Sequence, residues 1–442
     1  MISFKHLLNR VRSNFLYIPS LYGIIAFIFA IISIQLDTYL LHREHFHEWI
    51  PSSLFINIDL ARTILGSISA ALLTMTTITF STILVVLTTY ISEFSPRTLQ
   101  NFISNPNTQR VLGFFVAGII YSILLLLLLR ESDTVTQFLS PSFAVFFAII
   151  CIFVFVFFIH HVSSWIQVSS LLHHITQQTI DNIKKELTDE QHAHKDNPWE
   201  DWEGEDIKHI SPLRISTDQS GYVQQIDMKG LVGQAAKDDC IVRVNTKISE
   251  YVESGAAYLS LWELSTPCHK DSYKNLITIG PEKSSKDTIE LSLIKIVEIA
   301  VRALSSGIND PNTAINCINN LGKILAKLGT KHLPRSYHHD KERNLRVIMD
   351  TPSFADYLYK CFAPIRQYGF HDISVLTSGI HAFILIAETN SDNIKQATWE
   401  FAEYVIEGID TDNLLSLDKR FLDEQLNTLA TACGQSRNFH GL

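Results

Sequence analysis

LARTILGSISAALLTMTTITFSTILVVLTTYI, residues 60–91, carries one charge, Arg62, near its start and none in the 29 residues that follow. A membrane span needs about 20 apolar residues at helical rise, so this stretch alone predicts a membrane protein. A helix running from Asp59 to Phe94 is roughly 50 Å long at ~1.5 Å per residue, against a hydrocarbon core of ~30 Å. It must tilt or project from the bilayer. Three further runs, 15–36, 111–129 and 139–160, are long and apolar enough to cross. The first follows Lys5, Arg10 and Arg12 like a signal peptide, but it is too long and lacks a small-residue cleavage site, so it counts as a span.

Charge divides the 442 residues sharply. Residues 1–165 hold 8 Lys/Arg and 7 Asp/Glu, leaving 28 basic and 38 acidic residues for 166–442. The net charge of −10 on the second part repels polyanions and argues against a nucleic-acid partner. Lys5, Arg10 and Arg12, then Arg97 and Arg110, then Lys184 and Lys185 outnumber Arg43, Arg62 and Arg130 on the alternate side. The positive-inside rule therefore places both termini in the cytoplasm. Six scattered cysteines without a CxxC read as thiols of a reducing compartment.

Beyond the transmembrane domain (1–165), residues 166–209 read as a helical extension followed by the charged linker DEQHAHKDNPWEDWEGED (189–206). Residues 210–280 form a small β-rich subdomain: GYVQQID (221–227), CIVRVNT (240–246) and YVESGAAYLSLWE (251–263) alternate as strands. Their rhythm is faintly similar to lipoyl-type barrel-sandwich domains. Lys229 is no lipoyl acceptor, however, because 228–236 has the pattern of a helix rather than a hairpin, and no cofactor is expected. Residues 281–442 are mainly helical, with one apolar face through Ile289, Leu293, Ile296, Val297, Ala300 and Leu304 and further helices expected at 341–368, 371–387, 391–408 and 417–432. The fold class is a four-helix membrane domain plus a cytosolic α+β domain with a barrel-like part.

Three constellations are candidate sites. In the second span Ser67, Thr74, Thr77, Ser81 and Thr88 recur at intervals of three, four or seven and share one helical face. Such a column suits a pore, where hydroxyls partner an ion or water, and equally suits close helix packing. No apolar core contains an ionisable residue, which disfavours a proton relay or voltage sensor. His42, His45 and His47 in LHREHFHEW are weak metal candidates without the spacing of a known site.

The third constellation is ALSSGINDPNTAINCINNLG, residues 303–322. Gly307 suits a left-handed helix end, and Asp310 with Pro311 starts the next helix, which makes a tight corner. Arg302, Asn309, Asp310 and Thr313 are candidates for binding a small polar ligand at the new helix's amino end. This segment resembles the signature of domain-of-unknown-function family 2254, predicted bacterial membrane proteins. The likeness extends to SEFSPRTLQNF (92–102) with NTQRVLGFF, to SGYVQQID (220–227) and to IRQYG (365–369), with Ser306 standing where that pattern usually has proline. The resemblance implies a multi-pass bacterial inner-membrane protein and no particular activity.

Catalytic and phosphate-loop motifs (GxSxG, HExxH, GxxxxGK) are absent, so the sequence does not read as an enzyme. The expected function is an oligomeric channel or channel-like transporter for a small ion or solute, with a cytosolic regulatory domain. The alternative is a non-transporting sensor or scaffold whose cytosolic domain binds a ligand or partner. The bilayer and further copies of the chain are the expected partners.

Overall fold

The structure, a computed structural model, describes residues 16–41, 51, 54–93, 106–130, 137–165, 167–187, 207, 209–263, 268–281, 288–333 and 336–435. Its contacts divide into two compact units, 1–171 and 172–442.

The first unit is built on four long helices: α1 (Tyr17–Leu41), α2 (Ile58–Glu93), α3 (Pro106–Leu128) and α4 (Ser140–Trp165). Each is long and apolar enough to cross a membrane, as the sequence predicts. α3 is the hub, packing against α1, α2 and α4, with Leu112, Phe115, Tyr121 and Leu125 in the interior. Its small residues permit this, since a Cβ on Gly118 would lie 2.7 Å from Leu72 and 3.1 Å from Phe147. α4 is apolar all round and leaves Phe146, Phe153 and Val156 exposed, as a lipid-facing helix does. A two-residue ribbon, β1 (Ile56–Asn57) against β2 (Gln137–Phe138), ties the entries of α2 and α4 together, and the Asn57 side chain accepts from the Leu60 N–H at 3.0 Å as a cap.

The second unit begins on α5 (Val168–Glu186), whose inner face carries Leu172, Ile175, Thr179 and Ile183. A five-stranded sheet then has the order β3 (Leu213–Ser216), β7 (Ala257–Glu263), β5 (Cys240–Val244), β10 (Leu345–Met349), β9 (Tyr337–His339). A separate antiparallel sheet has the order β6 (Tyr251–Val252), β4 (Gly221–Ile226), β8 (Ile277–Gly280). Between β4 and β5 runs α6 (Met228–Lys237), capped by Asp227, which accepts from the Gly230 N–H at 3.0 Å; the short α7 (Lys270–Lys274) precedes β8. Leu231 and Ala235 of α6 pack with Val223, Val242, Leu259 and Tyr273 in a shared core.

Two expectations change here. The strands form two open sheets instead of a barrel, because α6 separates β4 from β5 and a distant strand, β10, pairs parallel with β5 (Val347 opposite Val242). That strand occupies 345–349, where the sequence pattern suggests the start of a helix; the helix there is α10 (Phe354–Gly369), opened by a Ser353/Asp356 capping box.

The remaining helices, α8 (Ile289–Ala303), α9 (Pro311–Gly329), α11 (Ile373–Glu388), α12 (Asp392–Ile406) and α13 (Ser416–Ala432), complete a helical layer with α10. α9 and α11 cross closely at Gly322, where a Cβ would sit 2.9 Å from the Cβ of Ala382. All six cysteines are buried thiols, with no disulfide among them.

Candidate functional site

α2 has two opposite faces. At 3.6 residues per turn, Ala61, Leu65, Leu72, Thr79, Ile83 and Val86 fall on one side, and all six are buried against the unit's other helices. Thr63, Ser67, Thr74, Thr77, Ser81 and Thr88 fall on the other, and all six are exposed. Among the described residues, the hydroxyl column therefore faces away from the rest of its own protomer. Gly66 beside it is half-buried, with nothing among the described residues beyond the helix's own backbone within 4 Å of a Cβ built there. Several of these hydroxyls are locally satisfied: Ser67 donates to the Thr63 carbonyl at 2.8 Å, Thr74 to Ala70 at 2.9 Å, Thr77 to Leu73 at 3.0 Å and Thr88 to Val85 at 2.8 Å. A shallow groove of about 310 Å³ runs along the column between Thr77 and Val85.

The ionisable-free membrane interior read from the sequence needs correction at its edge. α1 extends beyond residue 36, and Asp37, 4% exposed, lies within it. Its two oxygens accept the backbone N–H groups of Leu139 and Ser140, each at 3.1 Å, at the start of α4. Tyr121 donates to Ser33 at 3.1 Å alongside. A carboxylate buried against a helix amino end meets unpartnered N–H donors and the positive end of the dipole, which compensates its desolvation. The sequence shows only an acid after an apolar run; its partner lies a hundred residues on. His42, His45 and His47 lie outside the described residues.

The corner between α8 and α9 gathers Asn309, Asp310 and Thr313, with Arg302 in the last turn of α8. The left-handed residue is Asn309, at φ +49°, and not Gly307. The reason is the double reversal: the N–H of Asn309 bonds back to the Ser305 carbonyl at 2.9 Å and that of Asp310 to Ala303 at 2.8 Å, so the bend falls at 309. Asp310 caps α9 by accepting from the Thr313 N–H at 3.1 Å. Bonds from the Thr313 hydroxyl, then from its backbone, hold the Asp310 carboxyl below the ordinary carboxylate range. With the cap supplied by this carboxylate, the helix end is already balanced. The asparagines that follow join helices. Asn320 donates to Asn316 and accepts from Thr176 of α5 at 3.0 Å, and Asn319 accepts from Ser378 of α11 at 3.3 Å.

The family model described as "Predicted membrane protein (DUF2254)" matches residues 12–384, a range that takes in all four membrane helices, both sheets and the α8–α9 corner. The chain belongs to this family. Uncharacterized proteins Rv1290c of Mycobacterium tuberculosis and Mb1321c of Mycobacterium bovis are each 28% identical to it over 342 residues, 75% of this chain. The chain spans 64% of the length of those relatives. No solved structure matches it. Membership in DUF2254 agrees with the four apolar helices: this is a membrane protein.

Proposed function

We propose that this DUF2254 chain acts as a cyclic homo-oligomer in a bacterial inner membrane. Its α2 helices face a shared axis, a small ion or solute passes between them, and the second unit, on the cytoplasmic side with both termini, regulates passage. One observation carries the reading: the hydroxyl column lies opposite the buried seam of α2, exposed among the described residues of its protomer. The protomer's interior is closed by Leu65, Leu112, Phe115 and Leu125, so a path requires several copies. No catalytic step is involved.

A second reading has its own support. Because the Ser67, Thr74, Thr77 and Thr88 hydroxyls already bond to carbonyls of their own helix, small side chains and satisfied donors also suit a dry, tight dimer face, as in a sensor or scaffold. Ion flux into liposomes separates the two, using wild type and the Thr74→Val/Thr77→Val/Ser81→Ala variant. If each lost hydroxyl ring removes ~0.5 kcal/mol of stabilisation from a permeant ion, the three together lower flux about tenfold. Wild-type protein that is folded and oligomeric yet passes nothing across varied salts and pH rejects the channel.

A further inference from the structure

The second unit contains an open groove of about 740 Å³ between α6 and the β9–β10 hairpin, well inside the size range of small-molecule sites. Lys229, Val232, Gly233 and Ala236 line it from α6, with Val232 also packed against the core that holds Leu231 and Ala235. The hairpin supplies His338, Lys341 and Arg346 opposite, with Tyr337 and Met228 adding apolar surface.

The hairpin wall is held in place before any ligand arrives. Arg346, 8% exposed at its side chain, donates from Nε to Asp340 at 2.7 Å and from Nη1 to Asp239, just beyond the end of α6, at 2.8 Å. Asp340 also accepts from the backbone of Glu342 and Asn344, both at 2.9 Å, which closes the turn. Asp340 and Arg346 neutralise each other. Arg346 is shared with Asp239 as well, so the fixed charges around the groove balance once Lys229, Lys341 and Glu342 are counted; no ion pair among the described residues engages Lys229 or Lys341, which leaves both ammonium groups of the lining available to an anion. Burial, and secondarily His339, pushes the His338 imidazole below its ordinary pKa, so near neutrality it is uncharged and both donates and accepts.

Gly233 is a second, independent observation. It sits mid-helix, where glycine weakens a helix relative to alanine. Gly230 in the same helix is explained, since a Cβ there would lie 2.6 Å from the Asp227 carboxylate; at Gly233 nothing among the described residues beyond the helix's own backbone lies within 4 Å of a Cβ built there. Glycine at 233 with alanine at 236 leaves a flat strip of helix backbone facing the groove, suited to the close approach of a planar ring.

We infer that this groove binds a nucleoside monophosphate, with its base laid over Gly233 against Val232 and Tyr337, its phosphate held by Lys229 and Lys341, and His338 meeting its sugar or base edge. The inference is independent of permeation: the site binds whether or not α2 lines a path.

Calorimetric titration of the full-length protein in detergent tests it, with AMP, GMP, CMP and UMP, the four nucleosides and inorganic phosphate as probes. At least one monophosphate is expected to bind more tightly than its nucleoside and than phosphate alone. Lys229→Ala/Lys341→Ala weakens that binding about tenfold or more, and Gly233→Leu abolishes it while the thermal unfolding temperature holds or rises. Absence of binding by all four monophosphates overturns the inference. So does equal binding of nucleoside and nucleotide, or binding that survives Gly233→Leu.

Discussion

Replacing Arg346 by methionine removes the clamp between the hairpin and α6 while keeping most of the side chain's volume. Two charge-assisted bonds disappear, and they are unequal. The Asp340 side chain is 11% exposed, so its bond is screened little and contributes on the order of 2 kcal/mol. The Asp239 side chain is 43% exposed, and its bond contributes less than ~1 kcal/mol after screening. Together they stabilise the second unit by roughly 2–3 kcal/mol, which at about 2–4 °C per kcal/mol for a unit near this size lowers its unfolding temperature by roughly 5–10 °C. Since all six cysteines are buried thiols, a thiol-reactive dye reports that transition in the intact chain. Arg243→Met is the control: its 3.3 Å pair with Asp350 is exposed on both sides, and the expected change is under ~1 kcal/mol.

The same variant has a signature in pH. Burial pushes the Asp340 carboxyl up, but the Arg346 bond and the N–H groups of Asn344 and Glu342 outweigh it, leaving its pKa below the ordinary carboxylate value. A carboxyl depressed on folding stabilises fully above its unfolded pKa of about 4 and loses that contribution as pH falls through the folded value. The gap between wild type and Arg346→Met is therefore wide at neutral pH and narrows in acid below about pH 4. A variant no less stable than Arg243→Met, or a gap independent of pH in that window, refutes the clamp.

Substitutions at three further positions probe other elements. Gly322→Leu drives a side chain into Ala382 where even a Cβ is too close, so α9 and α11 separate at a cost of ~3 kcal/mol or more, read by the same dye; unchanged stability refutes the crossing. Asn309→Gly keeps the left-handed bend and leaves stability within ~0.5 kcal/mol, whereas Asn309→Val costs ~1–2 kcal/mol; equal thermal shifts for both mean that the asparagine side chain has a role beyond its backbone conformation. Asp37→Ala leaves the Leu139 and Ser140 N–H groups without their acceptor at ~1–3 kcal/mol each, and earlier labelling of buried Cys151 on heating is the readout. Asp37→Asn, which keeps one acceptor oxygen, falls between wild type and alanine.

What was legible in the sequence divides by the range of the interaction that fixes it. The four membrane helices follow from apolar runs, a property of each segment alone, and the α9 start follows from Asp310 and Pro311, whose effects act within one turn. β10 could not be read that way. LRVIM is a short apolar run compatible with helix or strand, and its pairing with β5 spans a hundred residues. Asp37 is similar, because its partners are N–H groups at the start of a helix three connections later. The groove was hidden for the same reason: Lys229 and Lys341 are unremarkable until Arg346 joins the hairpin to the end of α6.

The hydroxyls of α2 show where sequence periodicity stops and structure begins. Spacing placed Thr74, Thr77 and Ser81 on one face but could not say which neighbour that face meets. Thr79, two residues from Thr77, is fully buried in the seam, and its hydroxyl has no partner among the described residues, while the Thr74 and Thr77 hydroxyls of the column are exposed and bonded to their own helix. Intramolecular packing therefore uses the threonine methyl group at 79 and leaves the column aside. No described residue of the protomer covers that column, so its share in function is to be sought against lipid or further copies of the chain, in the assembled state.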